Sequence, residues 1–216
     1  MLHYNIMVVV VLVGLAQAQV PRGPVTLSER AQLNQVLALQ TVEVRRYVPP
    51  PPGITVPGGA PDLFRGWLAA PDRVVTSSLV VQGWPQGPGD TLEVKAPDGA
   101  WHPAAVGLMD AQAGIAVLDV RVPAPGEAQL ADERRLQPGR GLFALGGSQP
   151  VDVQVAERAE GHLGWYWRLR APPLVPGTPL FDGQGRLVTL VGAPALLALP
   201  TEAIDTLVAR RPDWRP

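Results

Sequence analysis

The sequence predicts an all-β protein made of two barrels. Short apolar or alternating segments recur between residues 41 and 199, and glycine, proline and Asp-Gly turns separate them. Stretches with helical spacing are few, which is typical of a β-barrel or a β-sandwich. A polar segment with several prolines, residues 121–139, divides the strands into two groups. This division predicts two barrels joined by a linker.

We predict a strand wherever such a segment lies between two turns. The first, residues 41–47, ends before the prolines of residues 49–52, because proline cannot donate a hydrogen bond to a sheet. The other predicted strands are residues 73–81, 91–96, 104–107, 115–120, 141–145, 151–156, 165–170 and 186–191.

Helices are predicted at the two ends of this β body. Residues 28–40 begin with a serine N-cap and place Leu33, Val36 and Leu37 at helical spacing. Residues 201–211 have an acidic first turn and end in two arginines, which suits the helix dipole. Both segments are short, so each is expected to pack against the barrels.

These elements predict six segments along the chain. They are a signal peptide at 1–18, an N-terminal segment with a short helix at 19–40, a first barrel at 41–122, a linker at 123–137, a second barrel at 138–200, and a C-terminal helix and tail at 201–216.

Composition excludes several functional classes. The chain has no cysteine, so thiol catalysis, thiolate metal sites and disulfides are excluded. The formal net charge is −1, and Lys95 is the only lysine, with the arginines spread along the chain. We therefore expect no nucleic-acid partner. We also expect no cofactor and no metal, because His102 and His162 are separated and lack clustered carboxylates.

The N-terminus predicts export. Residues 6–16 form an uncharged apolar run, followed by Ala16-Gln17-Ala18, the small-x-small pattern that signal peptidase reads. The run is shorter than the about 20 apolar residues that a membrane-spanning helix needs. We therefore expect cleavage after Ala18, no membrane span afterwards, and a periplasmic, envelope or secreted location.

A series of segments between about residue 64 and residue 211 follows a recognisable order. They are FRGWL at 64–68, RVVTSSLVV at 73–81, residues 92–120 with GIAVL at 114–118, residues 136–147, RLRAPPLVPG at 168–177, PLFD at 179–182, and ALP at 198–200 before the closing helix. In these segments the chain resembles the trypsin-like peptidase domain of the HtrA-like, or Deg-type, serine peptidases. This resemblance implies two packed antiparallel Greek-key barrels, and we expect no PDZ-type module after them.

The resemblance also implies that the peptidase chemistry is lost. The reaction needs a serine nucleophile, a histidine base, an orienting aspartate and backbone donors for the oxyanion. The histidine position falls on Leu79 and the aspartate position on Gly114. The nucleophile loop, Pro-Gly-Asn-Ser-Gly-Gly-Pro-Leu in the family, reads Pro-Gly-Thr-Pro-Leu here. We call Pro176, Gly177 and Thr178 the shortened loop, and we expect no catalytic residue in it.

The segment 165–170 is the candidate binding surface. Trp165 and Trp167 alternate along it with Arg168 and Arg170. One interpretation is a core face opposite a solvated face. The other is that these side chains border a groove for an extended peptide, which would add a strand to a sheet edge.

Three functions remain open from the sequence. The first is an exported pseudopeptidase that binds a peptide or protein. The second is an active serine-type hydrolase with a rearranged site, and the third is a structural envelope protein. A filled cleft between the barrels favours the structural role, whereas an open cleft rimmed by Trp165 or Arg168 favours binding. Side chains available to a rearranged site, which we expect to have ordinary structural roles, are Ser77, Ser78, Lys95, His102, Ser148, His162 and Thr178.

Overall fold

The computed structural model describes residues 27–47, 62–82, 91–123, 128–131, 135–161, 164–192, 197–198 and 204. The predicted signal peptide and His162 lie outside these residues, as does the predicted C-terminal helix apart from Ile204, which is helical and buried. The described chain begins with one α-helix, α1 (Leu27–Gln40), and β-strands follow it. None of the described helices is long and apolar enough to cross a membrane.

Six antiparallel strands form a closed first barrel. Strand β1 pairs with β2 on one side and β4 on the other, with Val44 opposite both Phe64 and Val94, and this closes the barrel. The order around the barrel is β1-β2-β3-β6-β5-β4. The strands are β1 (Thr41–Tyr47), β2 (Asp62–Ala70), β3 (Arg73–Ser77), β4 (Thr91–Lys95), β5 (Trp101–Asp110) and β6 (Ile115–Val120).

The second group of strands repeats this order in a curled sheet. Its sheet order is β11-β10-β7-β8-β9-β12, and an antiparallel bridge between Val191 and Ala198 joins its two ends. In each group the fourth strand returns beside the first, which is the Greek-key arrangement. The strands are β7 (Gly141–Gly146), β8 (Gln149–Gly161), β9 (Gly164–Arg170), β10 (Pro179–Phe181), β11 (Leu187–Leu190) and β12 (Leu197–Ala198).

Three strand predictions need correction in their bounds. The segment 73–81 is a strand only as far as Ser77, whose side chain caps a 3-10 turn at Ser78–Val80. The predicted strand 104–107 is the middle of the longer β5, because β5 pairs with β4 from Trp101 onward. The predicted strand 151–156 lies within the longer β8, because β8 pairs with β9 as far as Gly161. Pairing with other strands, which local pattern does not report, sets the lengths of β5 and β8.

The apolar side chains form three cores. One fills the first barrel, around Val44, and another lies within the second sheet, around Leu142. The third, which we call the interbarrel core, joins the two barrels and helix α1. Its buried members are Leu33, Leu37, Trp67, Ala69, Val75, Ile115, Val117, Leu145, Phe181, Leu187, Leu190 and Ile204.

Helix α1 contacts both barrels. Gln40 at its C-terminus accepts a hydrogen bond from the Trp67 indole N–H of β2 at 3.1 Å. The same side chain donates to the Gly185 carbonyl of the β10–β11 turn at 3.0 Å. Arg30 forms an ion pair with Asp152 of β8. The helix therefore holds the two barrels in one arrangement. Of its three apolar residues predicted at helical spacing, Leu33 and Leu37 are buried, whereas Val36 is 37% exposed. The helix begins at Leu27, so Ser28 lies within it and is not its N-cap as predicted.

Candidate functional site

The positions that the resemblance assigns to the catalytic histidine and aspartate lie side by side. Leu79 belongs to the 3-10 turn after β3, is half-buried, and packs against the first-barrel core. Gly114 directly precedes β6 with a φ of +75°. Its carbonyl accepts a hydrogen bond from the Ser78 N–H at 2.8 Å, so the two segments are joined through their backbones. Neither Leu79 nor Gly114 has a side chain that can carry a proton.

The shortened loop reaches from the second barrel to β2 of the first barrel. The Arg65 N–H donates to the Pro176 carbonyl at 3.1 Å. The Gly177 N–H donates to the Val191 carbonyl at 2.7 Å, and the Val191 N–H donates to the Thr178 carbonyl at 2.8 Å. Backbone hydrogen bonds therefore attach the loop to both barrels.

Gly177 lies directly against the first barrel. It has a φ of +82°, and a Cβ atom there would stand 2.0 Å from the Arg65 carbonyl oxygen and 2.5 Å from Thr76 Oγ1. The Thr76 hydroxyl of β3 donates to the same Arg65 carbonyl at 2.5 Å. The loop thus contacts the C-terminal half of β3, the strand that leads to Leu79.

Thr178 holds the one hydroxyl of the shortened loop, and it is fully buried at 0% exposure. Its hydroxyl donates to the Val175 carbonyl at 2.6 Å, and its N–H donates to the same carbonyl at 3.2 Å. Both donors therefore close the turn in which the residue lies. This geometry gives Thr178 a structural role in the loop.

The nearby serines also have structural hydrogen bonds. The buried Ser77 Oγ accepts from the Leu79 N–H at 3.3 Å, and the buried Ser78 Oγ accepts from Gln82 Nε2 at 3.1 Å. Ser148 lies apart from them, exposed in the turn between β7 and β8. The structure brings Ser77 and Ser78 to the candidate site, where both support the 3-10 turn.

His102 lies in the first barrel, on β5 opposite Val94. Its Nε2 atom is 3.4 Å from an Asp98 carboxylate oxygen, in a geometry that does not qualify as a hydrogen bond. Lys95 ion-pairs with Glu43 at 3.4 Å. Within the described residues, no group of three histidine, cysteine, aspartate or glutamate side chains could hold a metal ion.

Strand β9 alternates between a core face and a solvated face. Leu169 is buried, and the half-buried Trp167 packs against the second core, whereas Arg168 and Arg170 are exposed. Trp167 and Arg168 thus point to opposite faces of the sheet. Of the four predicted groove residues, the two arginines share one solvated surface, and the side chain of Trp165 lies outside the described residues.

Arg168 already has partners on this surface. Its Nη1 atom donates to Glu157 of β8 at 2.8 Å. A hydrogen bond with the Tyr166 side chain, followed by the Glu157 charge, raises the pKa of Arg168 above its usual value. A ligand that binds here would compete with Glu157 for the guanidinium group.

A charged ladder on the first barrel is a feature that sequence reasoning missed. Glu43 of β1 stands opposite both Arg65 of β2 and Lys95 of β4. Burial lowers the pKa of Arg65, and the Glu43 charge opposes that effect. In the next row, Arg45 pairs with Glu93 at 2.5 Å and lies 4.0 Å from the centre of the Trp101 ring. The alternation of β1 could have predicted this outward face, but only the strand register shows which charges meet.

Comparison with known proteins identifies the fold through structure alone. No family model and no curated protein matches the chain. The Rv3671c protease from M. tuberculosis in its active form superposes with a TM-score of 0.65 at 19% identity, covering 90% of this chain and 93% of that chain. The inactive form of the same protease gives a TM-score of 0.61 at 19% identity, covering 88% of this chain and 98% of that chain.

A second solved protein, Deg5, is similar over most of its length. Its TM-score is 0.65 at 17% identity, covering 84% of this chain and 91% of that chain. The superpositions agree with the repeated strand order of the two barrels and confirm the predicted fold class. The chain therefore has the two-barrel fold of the HtrA-like, Deg-type trypsin-like serine proteases.

Proposed function

We propose that this trypsin-like-fold protein does not hydrolyse peptides and instead binds an extended peptide or protein segment. The absence of hydrolysis is supported by the backbone hydrogen bonds of the shortened loop. The N–H groups of Gly177 and Thr178 both donate to backbone carbonyls, those of Val191 and Val175. An oxyanion hole needs backbone donors that point at the substrate, so these two N–H groups are not available to form one.

The positions of the base, the orienting carboxylate and the nucleophile also support the absence of hydrolysis. Leu79 and Gly114 stand where the resemblance places the base and its orienting carboxylate, and neither transfers a proton. The buried Thr178 hydroxyl lacks access to a substrate carbonyl, because it lies inside its own turn. Together, these features support a protein that retains the peptidase fold but does not catalyse peptide hydrolysis.

Covalent labelling tests the absence of hydrolysis. The purified chain is incubated with a fluorophosphonate serine probe and with unfolded casein, beside an active trypsin-like protease and a heat-unfolded sample of the chain. We expect neither labelling nor cleavage by the folded chain. Labelling that depends on the folded state and disappears in Thr178→Val would identify an active hydroxyl and refute the proposal.

The solvated face of β9 supports the binding part of the proposal. Arg168 and Arg170 are two residues apart on the same face, as are alternate side chains of an extended segment. A segment that crosses this face would place side chains of matching spacing near both guanidinium groups. We therefore propose a ligand with acidic side chains at alternate positions.

Peptide titration tests this surface. A fluorescent peptide with aspartate at alternate positions should bind the chain, and the affinity should fall about tenfold in Arg170→Glu, since that change replaces attraction by repulsion. Arg121→Glu is the matched control, because Arg121 is exposed beyond the first barrel and changes net charge equally. Equal losses in both variants would mean that only net charge matters.

The interbarrel core favours a second candidate, a structural envelope protein. The apolar side chains of Leu37, Trp67 and Phe181 fill much of the contact between the barrels. A contact filled in this way favours a structural role over a groove that binds a peptide. Co-fractionation with the cell envelope, together with no binding of the alternating acidic peptide, would favour this candidate over the first.

We also propose that the chain is exported and cleaved after Ala18. Expression in a bacterial host should yield a protein whose mass, measured by mass spectrometry, matches a chain that begins at Gln19. Ala18→Leu should block cleavage, because signal peptidase reads a small residue at that position, whereas Gln17→Leu should not. A mature protein that still contains residues 1–18 would contradict the proposal.

A further inference from the structure

One row of the charged ladder on the first barrel has more positive than negative charge. Arg65 of β2 and Lys95 of β4 flank Glu43 of β1, because both stand opposite it in the sheet. Their neighbours Phe64 and Val44 belong to the core inside the barrel, so the three charged side chains lie on its outer surface. This row therefore places two cations beside one carboxylate. We call it the Arg65 row.

The two cations of the Arg65 row differ in their partners. Lys95 Nζ lies 3.4 Å from a Glu43 carboxylate oxygen and 5.9 Å from the centre of the Trp101 ring. The half-buried Arg65 side chain interacts with the Glu43 charge but makes no side-chain hydrogen bond among the described residues. Burial lowers the pKa of Arg65, and the Glu43 charge opposes this effect only in part. Arg65 is therefore the cation of this row whose N–H donors are available to a ligand.

The backbone of Arg65 is fixed where the first barrel meets the shortened loop. Its N–H donates to the Pro176 carbonyl at 3.1 Å, and its carbonyl accepts from the Thr76 hydroxyl and lies against Gly177. The guanidinium nitrogens reach the surface, since none of them is among the fully buried side-chain atoms without a partner in the described part of the chain. A ligand here would meet a donor group on an ordered backbone, which reduces the entropy cost of binding.

We propose that Arg65 binds a carboxylate of a peptide or protein ligand at the junction of the first barrel and the shortened loop. The two oxygens of a carboxylate match two parallel N–H groups of a guanidinium. A second carboxylate would also balance the excess charge of the Arg65 row. The next row does not need one, because Arg45 and Glu93 pair there at 2.5 Å. The inference goes beyond the proposed function, since β9 belongs to the second barrel.

NMR of the arginine side chains of the purified chain tests the site directly. Each arginine Nε–H group gives its own signal, and Arg65→Gln identifies the Arg65 signal by removing it. Acetate, added at constant ionic strength, should shift the Arg65 signal to saturation, whereas chloride should not. An Arg65 signal that acetate does not move would overturn the proposal. A shift at Arg170 alone would also overturn it and would leave the β9 proposal standing.

Three acetylated Gly-Ser peptides of equal length separate the two sources of a carboxylate. The first has a free C-terminus and no acidic residue, and the second has an amidated C-terminus and one internal aspartate. Saturation of the Arg65 signal by the first alone would identify a C-terminal carboxylate as the ligand group, and saturation by the second would identify an acidic side chain. The third peptide is amidated and has no aspartate. Equal binding of this third peptide would overturn the proposal, because it carries no carboxylate.

Charge-matched variants measure the contribution of Arg65 to affinity. Fluorescence anisotropy with a labelled form of the tighter peptide should show a Kd about tenfold higher in Arg65→Gln, which removes the hydrogen bonds to the carboxylate. Arg65→Lys should restore only part of this loss, because an ammonium group lacks the planar pair of donors. Arg45→Gln is the matched control, since it removes one charge from the same face. It should change the Kd by less than about threefold.

Glu43→Gln gives the opposite result and keeps the test independent of folding. Glu43 competes with the ligand for Arg65, so its neutralisation should lower the Kd about threefold or more. Partial unfolding cannot produce such a gain in affinity. Equal losses in Arg65→Gln and Arg45→Gln would mean that only net charge matters and would overturn the proposal. An unchanged Kd in Glu43→Gln would contradict the competition at Arg65. Far-UV circular dichroism checks that each variant is folded.

Discussion

Gly177 is the residue on which the contact between the shortened loop and the first barrel depends. Its α-carbon faces the Arg65 carbonyl, with no room for a side chain. Its left-handed conformation also suits glycine better than any other residue. Both constraints act at one position, because the loop must turn and approach a neighbouring backbone at the same point.

Gly177→Ala is predicted to destabilise the protein strongly. The added Cβ would meet the Arg65 backbone, so the loop or β2 must move. Gly139→Ala is the matched control, because Gly139 has a φ of +83° and nothing within 4 Å of its Cβ position. In both variants, the left-handed backbone should lower the free energy of unfolding by about 1 kcal/mol. In Gly177→Ala, overpacking should lower it by about 2 kcal/mol more. Urea unfolding measures both, and equal losses would contradict the close contact.

Gln40 offers a second prediction at the scale of single residues. Gln40→Ala should lower the free energy of unfolding by about 1–3 kcal/mol, because the Trp67 indole N–H loses its acceptor. Gln35→Ala, exposed on the same helix, should change it by less than about 0.5 kcal/mol. In a Trp67→Phe background the Gln40→Ala loss should shrink. A loss that is independent of Trp67 would disprove the coupling.

At the scale of elements, helix α1 acts as a brace across the two barrels. Its sequence is apolar on more than one face, since Leu33 and Leu37 are buried while Val36 and Leu39 are partly exposed. The row that contains Leu33 and Leu37 is buried because this side of the helix packs against the barrels. That row belongs to the interbarrel core, so the helix contributes to the contact between the barrels.

Leu37→Ala should therefore cost more than any other leucine truncation on α1. Leu37 has 0% exposure, and its removal should lower the free energy of unfolding by about 2–5 kcal/mol through lost burial and a cavity. Leu39→Ala is the control, because Leu39 is 43% exposed. It should cost less than about 1 kcal/mol. Thermal unfolding compares the two variants, and similar shifts in Tm would show that α1 does not brace the barrels.

At the scale of the whole molecule, the two barrels share a core. Trp67, Val75 and Ile115 of the first barrel meet Phe181 and Leu190 of the second in the interbarrel core. Neither barrel can unfold without exposing the apolar surface of the other. The contact therefore couples the stabilities of the two barrels.

We predict a single cooperative unfolding transition. Near-UV circular dichroism and tryptophan fluorescence should give the same midpoint, and the calorimetric enthalpy should equal the van't Hoff enthalpy. Leu37→Ala should shift this transition without dividing it. Two transitions, or midpoints that differ between probes, would mean that the barrels unfold independently.

Part of the candidate site was predictable from the sequence, and part was not. The positions of Leu79, Gly114 and the shortened loop follow from the resemblance to the HtrA-like peptidases, and the absence of a catalytic site there remains a prediction. The hydrogen bonds that hold the loop against Arg65 and Val191 were not predictable, because they join residues far apart in the chain. The interpretation of β9 as one binding surface was incomplete, since alternation sends Trp167 and Arg168 to opposite faces.

By itself, the sequence determined the all-β class, the two groups of strands and the N-terminal helix. These features depend on local properties: the period of the apolar residues and the turns at glycine and proline. The superposed proteases confirm the two-barrel fold that the order of segments predicts.

Only the tertiary structure decided where β3 ends, how far β8 outlasts β7, and which side chains fill the contact between the barrels. Each of these depends on pairing or packing between residues distant in sequence. Ser77 ends β3 because its side chain caps a turn that also bonds to Gly114. Strand β8 continues to Gly161 because it pairs with β9 that far, whereas β7 pairs with it only as far as Gln154, a relation between strands that no strand encodes alone.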